Sequence, residues 1–164
     1  MKKKVLSWLV TCAMLFGMFP ATAMAASATV SDAEALRSAL ASAESGDTIT
    51  FGDDITVDDV WACCEVPTGV TIAGAGYTFK IGDVGHYDSN AAFYGSGFDV
   101  KDLTIERTGT DENGDNALQM NGGKATSVKV EGTFGSGIVA SGGVEVDRLS
   151  LIHISEPTRR SYIS

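Results

Sequence analysis

Basic side chains are scarce in this sequence. Its 164 residues carry 12 Lys and Arg against 21 Asp and Glu. An acidic field repels nucleic acid and anionic membrane, and it favours solubility and cations. Nucleic acid is therefore not an expected partner. Proline is scarcer still, at three residues, whereas glycine reaches 19 and apolar residues 44%. That balance argues against disorder. Histidine occurs only at His86 and His153, and cysteine only at Cys12, Cys63 and Cys64. A zinc-type centre needs several such ligands close together, so no metal and no cofactor is expected.

One long apolar run is present, at the start. Lys2, Lys3 and Lys4 precede an uncharged stretch from Val5 to Phe19, Pro20 breaks it, and Ala23-Met24-Ala25 follows. This is the three-part pattern of a secretory signal peptide. The run is short for a membrane span of about 20 residues. Residues 1–25 are expected to be removed after Ala25, leaving a secreted or cell-surface protein with no transmembrane segment. Cys12 follows Thr11 inside the apolar run, which is not a lipid-attachment position. Cys63 and Cys64 survive processing. Adjacent cysteines in an oxidising compartment can close a strained ring, stay reduced or pair elsewhere.

The other end is unusual. Residues 149–159, Leu-Ser-Leu-Ile-His-Ile-Ser-Glu-Pro-Thr-Arg, are similar to the translation of a transposase-type DNA sequencing adapter. Arg160-Ser161-Tyr162 then fall on the variable index of such an adapter, and Ile163-Ser164 on its constant flank. Residues 149–164 are expected to be a non-native tail, with the natural chain cut short after Arg148. The signal removes three basic residues; the tail removes two basic and one acidic. Residues 26–148 then hold seven basic and 20 acidic residues, a net charge of −13.

Ser31-Asp32-Ala33-Glu34 reads as a capping box with Ser31 as N-cap. Leu36, Ala39, Leu40 and Ala43 follow at helical spacing, and Gly46 is the expected stop. One short helix over 32–45 is predicted. Beyond it the period falls to two. Short strands are predicted at Thr48–Phe51, Ile55–Val57, Val70–Ile72, Phe79–Ile81, Phe98–Val100, Leu103–Ile105, Ala117–Met120, Val128–Val130, Ile138–Ala140 and Val144–Val146, with turn residues between them.

The strands repeat. Leu103-Thr-Ile-Glu aligns with Val128-Lys-Val-Glu 25 residues on, and Ala92-Phe93 with Ala117-Leu118 at the same spacing. Ile138-Val139 lies 21 beyond Ala117, Phe98 lies 46 before Val144, and Ile49 lies 21 before Val70. A period of 20–25 with several short strands is solenoid spacing, and the consensus of leucine-rich repeats is absent. In a parallel β-helix, Ile72, Ile105, Leu118 and Val130 would stack inward while Thr71, Thr104, Gln119 and Lys129 face solvent. The helix would cover the bare end of the first turn.

Ala35–Leu40, then Gly46-Asp47-Thr48-Ile49, Ile55–Val57 and Gly69-Val70-Thr71-Ile72-Ala73-Gly74-Ala75-Gly76-Tyr77-Thr78, resemble the N-terminal turns of the pectate-lyase-like, right-handed β-helix superfamily. Val100-Lys101-Asp102-Leu103-Thr104-Ile105 resembles one of its core-turn strands. The resemblance covers about residues 30–148. It implies an all-β, right-handed parallel β-helix with one N-terminal capping helix, and says little about function. The superfamily includes polysaccharide lyases, glycoside hydrolases, adhesins and surface stalks, and its enzymes place Asp, Arg or Lys on later turns.

No catalytic constellation is visible. Asp111, Asn113 and Asp115 match the first three oxygen positions of a calcium loop. Asn116 stands where that loop needs Gly, and Gly122 where it needs Glu, so a solvated turn is the better reading. Asp53-Asp54 and Asp58-Asp59 read as loop charges. Asp102 and Asp147 align through the repeat, as like residues do in any solenoid. Tyr77, Tyr87, Phe93 and Tyr94 offer sugar-stacking faces or core cover. The preferred function is an adhesin-like or structural binding module meeting carbohydrate or a host or cell-surface ligand. The alternative is the N-terminal part of a polysaccharide lyase or glycoside hydrolase. If the tail is foreign, hydrogen exchange should show the last turn fraying first. Protection over 144–154 equal to that over 70–105 would instead mark the tail as a genuine folded strand.

Overall fold

The computed structural model of the protein describes residues 25–57, 64–82, 91–108 and 116–152. The greater part of the signal segment, residues 153–164, Cys63, His86, Tyr87, Asp58, Asp59, and the Asp111, Asn113 and Asp115 turn lie outside the described residues. One helix, α1 (Ala33–Ser42), follows strand β1 (Ser27–Val30). Then come β2 (Thr48–Phe51), β3 (Ile55–Val57), β4 (Cys64–Val66), β5 (Thr71–Ala73), β6 (Thr78–Ile81), β7 (Ala91–Arg107), β8 (Asn116–Gly132), β9 (Ser136–Ser141) and β10 (Glu145–Ile152). No helix among the described residues is long and apolar enough to cross a membrane.

The described strand pairings are parallel, and they fall into three stacks. One runs β1, β2, β5, then residues 98–101 of β7, 123–126 of β8 and 145–147 of β10. A second runs β3, β6, then 103–107, 128–132 and 149–152 of the same long strands. The third runs β4, residues 91–96 of β7, 116–121 of β8, and β9. The molecule is a parallel β-solenoid of about four turns.

Alternation puts every second side chain inside. Ile72, Ile105, Leu118 and Val130 are fully buried, as expected, while Thr71, Thr104, Gln119 and Lys129 face outward. Each inward residue lies over its counterpart in the next turn. Ile49, Ile72, Val100 and Ala125 form one column, and Ile55, Phe79, Ile105 and Val130 another. Phe79 joins the stacks, with its ring 4.8 Å from Phe93 and 6.5 Å from Phe51. Fully burying a side chain of this size contributes about 1.5–3 kcal/mol.

Two of the expected spacings shift. Ile49 pairs with Ile72, 23 residues on, rather than with Val70. Leu118 pairs with Ile138, 20 on, so Ala117 does not face Ile138. The 25-residue step between β7 and β8 holds throughout. Strands predicted separately at 98–100 and 103–105 are one long strand, because pairing to the next turn continues through the corner between them. The predicted strands omit β1, β4 and residues 91–96, although Cys64-Glu65-Val66 alternates inward and outward; β1 buries only Val30.

Corners between the first two stacks carry Asp102, Ser127 and Arg148, all left-handed, with φ of 51, 53 and 55°. The register places Asp102 against Ser127, and Ser127 against Arg148. Asp147 therefore aligns with Thr126 and Lys101, not with Asp102; the 46-residue spacing that relates Phe98 to Val144 carries Asp102 to Arg148. The opposite corner uses glycine. Gly46, Gly69 and Gly97 have positive φ, and each of the first two donates its N–H to the carbonyl of the next, at 2.9 and 2.7 Å.

The helix covers the first turn through buried Leu36 and Leu40. Its N-cap is Asp32, not Ser31. The Asp32 side chain accepts from Ala35 N–H at 2.8 Å, and Leu36 N–H bonds to Asp32 C=O at 3.0 Å. A carboxylate at this position also meets the positive end of the helix dipole, and Glu34 falls too early to close a capping box. The helix ends at Ser42, before Gly46, with Ala43 already extended. Asp47 organises the chain beyond it, accepting from Ala26 N–H at 2.7 Å and Glu44 N–H at 2.9 Å.

Asp32→Ala should cost about 1 kcal/mol in chemical denaturation, and Ser31→Ala less than about 0.5. Leu36→Asp should cost more than either, because it buries an unpaired charge. Gly123→Ala should be the most damaging of the four. Its φ is +92°, and a Cβ there would overlap the Phe98 carbonyl in the adjacent turn.

Candidate functional site

Outward positions of the third stack line up as the inward ones do. Glu65, Tyr94, Gln119 and Val139 are in register across four turns. Beside them the chain turns toward the glycine corner through Pro67 and Thr68, Ser96, Asn121 and Ser141. Together they line an open cleft of about 510 Å³, floored by buried Val66 and Met120. Tyr94 is half-buried, and Gln119 is exposed. Asn121 Nδ2 donates to Ser96 Oγ at 3.5 Å, and Ser141 Oγ donates to Asn121 Oδ1 at 3.3 Å. Ser141 Oγ also reaches Met120 C=O at 3.5 Å. The cleft offers amides, hydroxyls, one phenol and one carboxylate, with no cationic side chain among its lining residues.

A second, smaller pocket lies on the first stack. Thr71, Asp99, Lys101, Asp102, Lys124, Thr126 and Arg148 line about 240 Å³. Three of the scarce basic residues meet here. Lys124 Nζ lies 3.3 Å from Glu145, Lys124 N–H donates to Asp99 Oδ1 at 2.8 Å, and Arg148 Nε lies 3.3 Å from Asp147. Both ion pairs are exposed, so each is worth about 0–1 kcal/mol.

Other candidates resolve individually. Phe93 is wholly buried and belongs to the core. Tyr77 is exposed at a corner, away from the cleft, and Tyr94 alone of the described aromatic candidates faces it. Cys64 points inward at 5% exposure, stacked on Phe93. Asp54 is more than a loop charge. It accepts from Thr78 N–H at 2.8 Å and pairs with Lys80 Nζ at 2.7 Å, tying one turn to the next. Among the described residues no three His, Cys, Asp or Glu side chains gather as a metal site would require.

The family model of the pectate lyase-like adhesive domain matches residues 27–137. The chain belongs to this family. No curated protein and no solved structure matches it. The match takes in α1, β1–β8 and the Glu65, Tyr94, Gln119 and Asn121 part of the cleft; Val139 and Ser141 lie just past its end. The adhesive domain thus contains most of the cleft.

Two carboxylates in the adhesive domain are held below their ordinary value of 3.8. Asp54 is lowered first by the Lys80 ammonium and then by Thr78 N–H; Asp47 is lowered first by Glu44 N–H and then by Ala26 N–H. A carboxyl that is more acidic folded than unfolded stabilises the fold above its unfolded value, and that contribution is lost as pH falls through the folded one. Thermal midpoints should therefore drop as pH is taken below 3.8. The double variant Asp47→Asn, Asp54→Asn should show a flatter acid limb in the same scan.

Proposed function

We propose that this chain is exported by residues 1–25, cleaved after Ala25, and acts outside the cell as an adhesin-like binding module rather than a catalyst. The supporting observation is the cleft over Tyr94. Its residues supply hydrogen-bond donors and acceptors on a rigid stack, and among the described residues its ionisable groups are Glu65 and the Tyr94 phenol. General acid–base chemistry on a glycosidic bond needs two convergent groups, such as paired carboxyls or a base facing an acid. Rigid surface hydrogen bonding is enough for adhesion. The family's adhesive description agrees with this reading. The expected right-handed winding agrees with the strong bias of parallel crossover connections.

One observation favours an alternative, the N-terminal part of a polysaccharide lyase or glycoside hydrolase. The Lys101, Lys124 and Arg148 pocket places cations beside Asp99 and Asp102. Catalytic groups are usually desolvated to tune their acidity, whereas the side chains of Lys124 and Arg148 are 48% and 71% exposed and already face carboxylates.

The mature chain, incubated with pectic and host polysaccharides with or without calcium, should generate neither unsaturated nor reducing sugar ends. It should nevertheless coat surfaces that display its ligand. Accumulating sugar ends would overturn the binding-module reading in favour of the enzyme.

A further inference from the structure

We propose that the cleft over Tyr94 is a binding site for an uncharged, hydroxyl-rich glycan segment lying along the solenoid axis. This deepens the adhesive reading and rests on it. A sugar hydroxyl both donates and accepts, and the side chains best matched to it are amides and hydroxyls. The cleft gathers Gln119, Asn121, Ser96, Ser141 and Thr68 around one half-buried tyrosine. The aromatic ring gives the apolar C–H face of a pyranose a surface to cover, and Val139, 40% exposed, extends it.

A uronate or sialate carboxylate needs a cation or a set of N–H donors. Among the described residues, the one charged group lining the cleft is Glu65, itself an anion, on a chain of net charge −9. An acidic sugar would be repelled, while the Glu65 carboxylate can accept from two neutral hydroxyls.

Glu65, Tyr94, Gln119 and Val139 come from four successive turns, each about 4.8 Å from the next, so the cleft runs parallel to the axis. A linear oligosaccharide can address each turn in sequence. The Ser141–Asn121–Ser96 chain holds the amide in place before a ligand arrives, which limits the ordering cost of binding. Its bonds, at 3.3 and 3.5 Å, are long enough to be exchanged for bonds to ligand hydroxyls.

The test is an array of immobilised neutral gluco-, manno- and galacto-oligosaccharides alongside galacturonate and sialylated ones, probed with the full mature chain. Hits are then titrated by calorimetry. The proposal expects binding confined to neutral glycans, weakened about tenfold or more by Tyr94→Ala and measurably by Asn121→Ala. Tyr77→Ala, at a corner outside the cleft, should leave it unchanged. Circular dichroism and thermal melting show whether each variant is folded, and Tyr94→Phe provides a less disruptive version that keeps the ring. Binding to acidic glycans alone overturns the proposal, as does neutral binding that survives Tyr94→Ala in a folded protein, and so does no binding to any glycan. If the chain still coats cell surfaces when Tyr94 is replaced, the cleft proposal fails and the adhesive reading stands. If it coats none even as wild type, the adhesive reading fails too.

Discussion

In-register hydrogen bonding between successive turns is the interaction on which everything else in this molecule depends. A strand of three or four residues cannot stand alone. Here Ile55–Val57 is held by Thr78–Ile81, and that strand in turn by residues 104–107 of β7. Once the register is fixed, side chains have no choice of neighbour. Ile72 must sit over Ile49 and under Val100, and Thr71 must face outward between Thr48 and Asp99. The corners inherit the same rule. If one turn bends with a left-handed residue, the next must bend at the same place, which explains Asp102, Ser127 and Arg148 at matching φ. The small strain of each non-glycine residue is carried by the pairing on either side.

That constraint also shapes the surface. The column rule that builds the core writes rows on the outside, where selection is free to vary them. Charged rows appear on the first two stacks, with Lys124 beside Glu145 and Lys80 beside Asp54. The third stack carries neutral polar residues, an aromatic and a single carboxylate, Glu65. A scaffold of this kind specifies which residues stand in line without specifying any chemistry, so the adhesive character of the family is a matter of row content rather than of fold.

Much of the fold could be read from the chain. Period-two alternation identified the inward set, and the 25-residue step from Phe93 to Leu118 and from Leu103 to Val128 matches the pairing. The misreadings share a cause. The turns differ in length where loops intervene, so a spacing carried from one pair of turns to another slips. Ile49 lands on Ile72 rather than Val70, and Ile138 on Leu118 rather than Ala117. Ser31 was a plausible cap by pattern, but the neighbouring Asp32 brings a charge to the same N–H groups. The cleft was hidden because its residues are 20 to 29 positions apart. A signal for it existed. Extending the Phe93–Leu118 alignment by one residue places Tyr94 beside Gln119, and the next odd position adds Ser96 and Asn121. The same spacings carried from Phe98 set Asp99 beside Lys124 and Asp102 in line with Arg148, which draws Lys101, Lys124 and Arg148 to one face.

Asp47 bonds to the backbone nitrogen of Ala26 at 2.7 Å. Were the chain cleaved after Ala25, as proposed, that nitrogen would be no longer a peptide amide but the chain's terminal ammonium. The hydrogen bond to the carboxylate would become an ion pair, made only after the leader had gone. Maturation would then do more than release the protein. It would supply the charge that fastens the first strand to the turn beneath the capping helix, so that the finished end of the chain is itself a structural part.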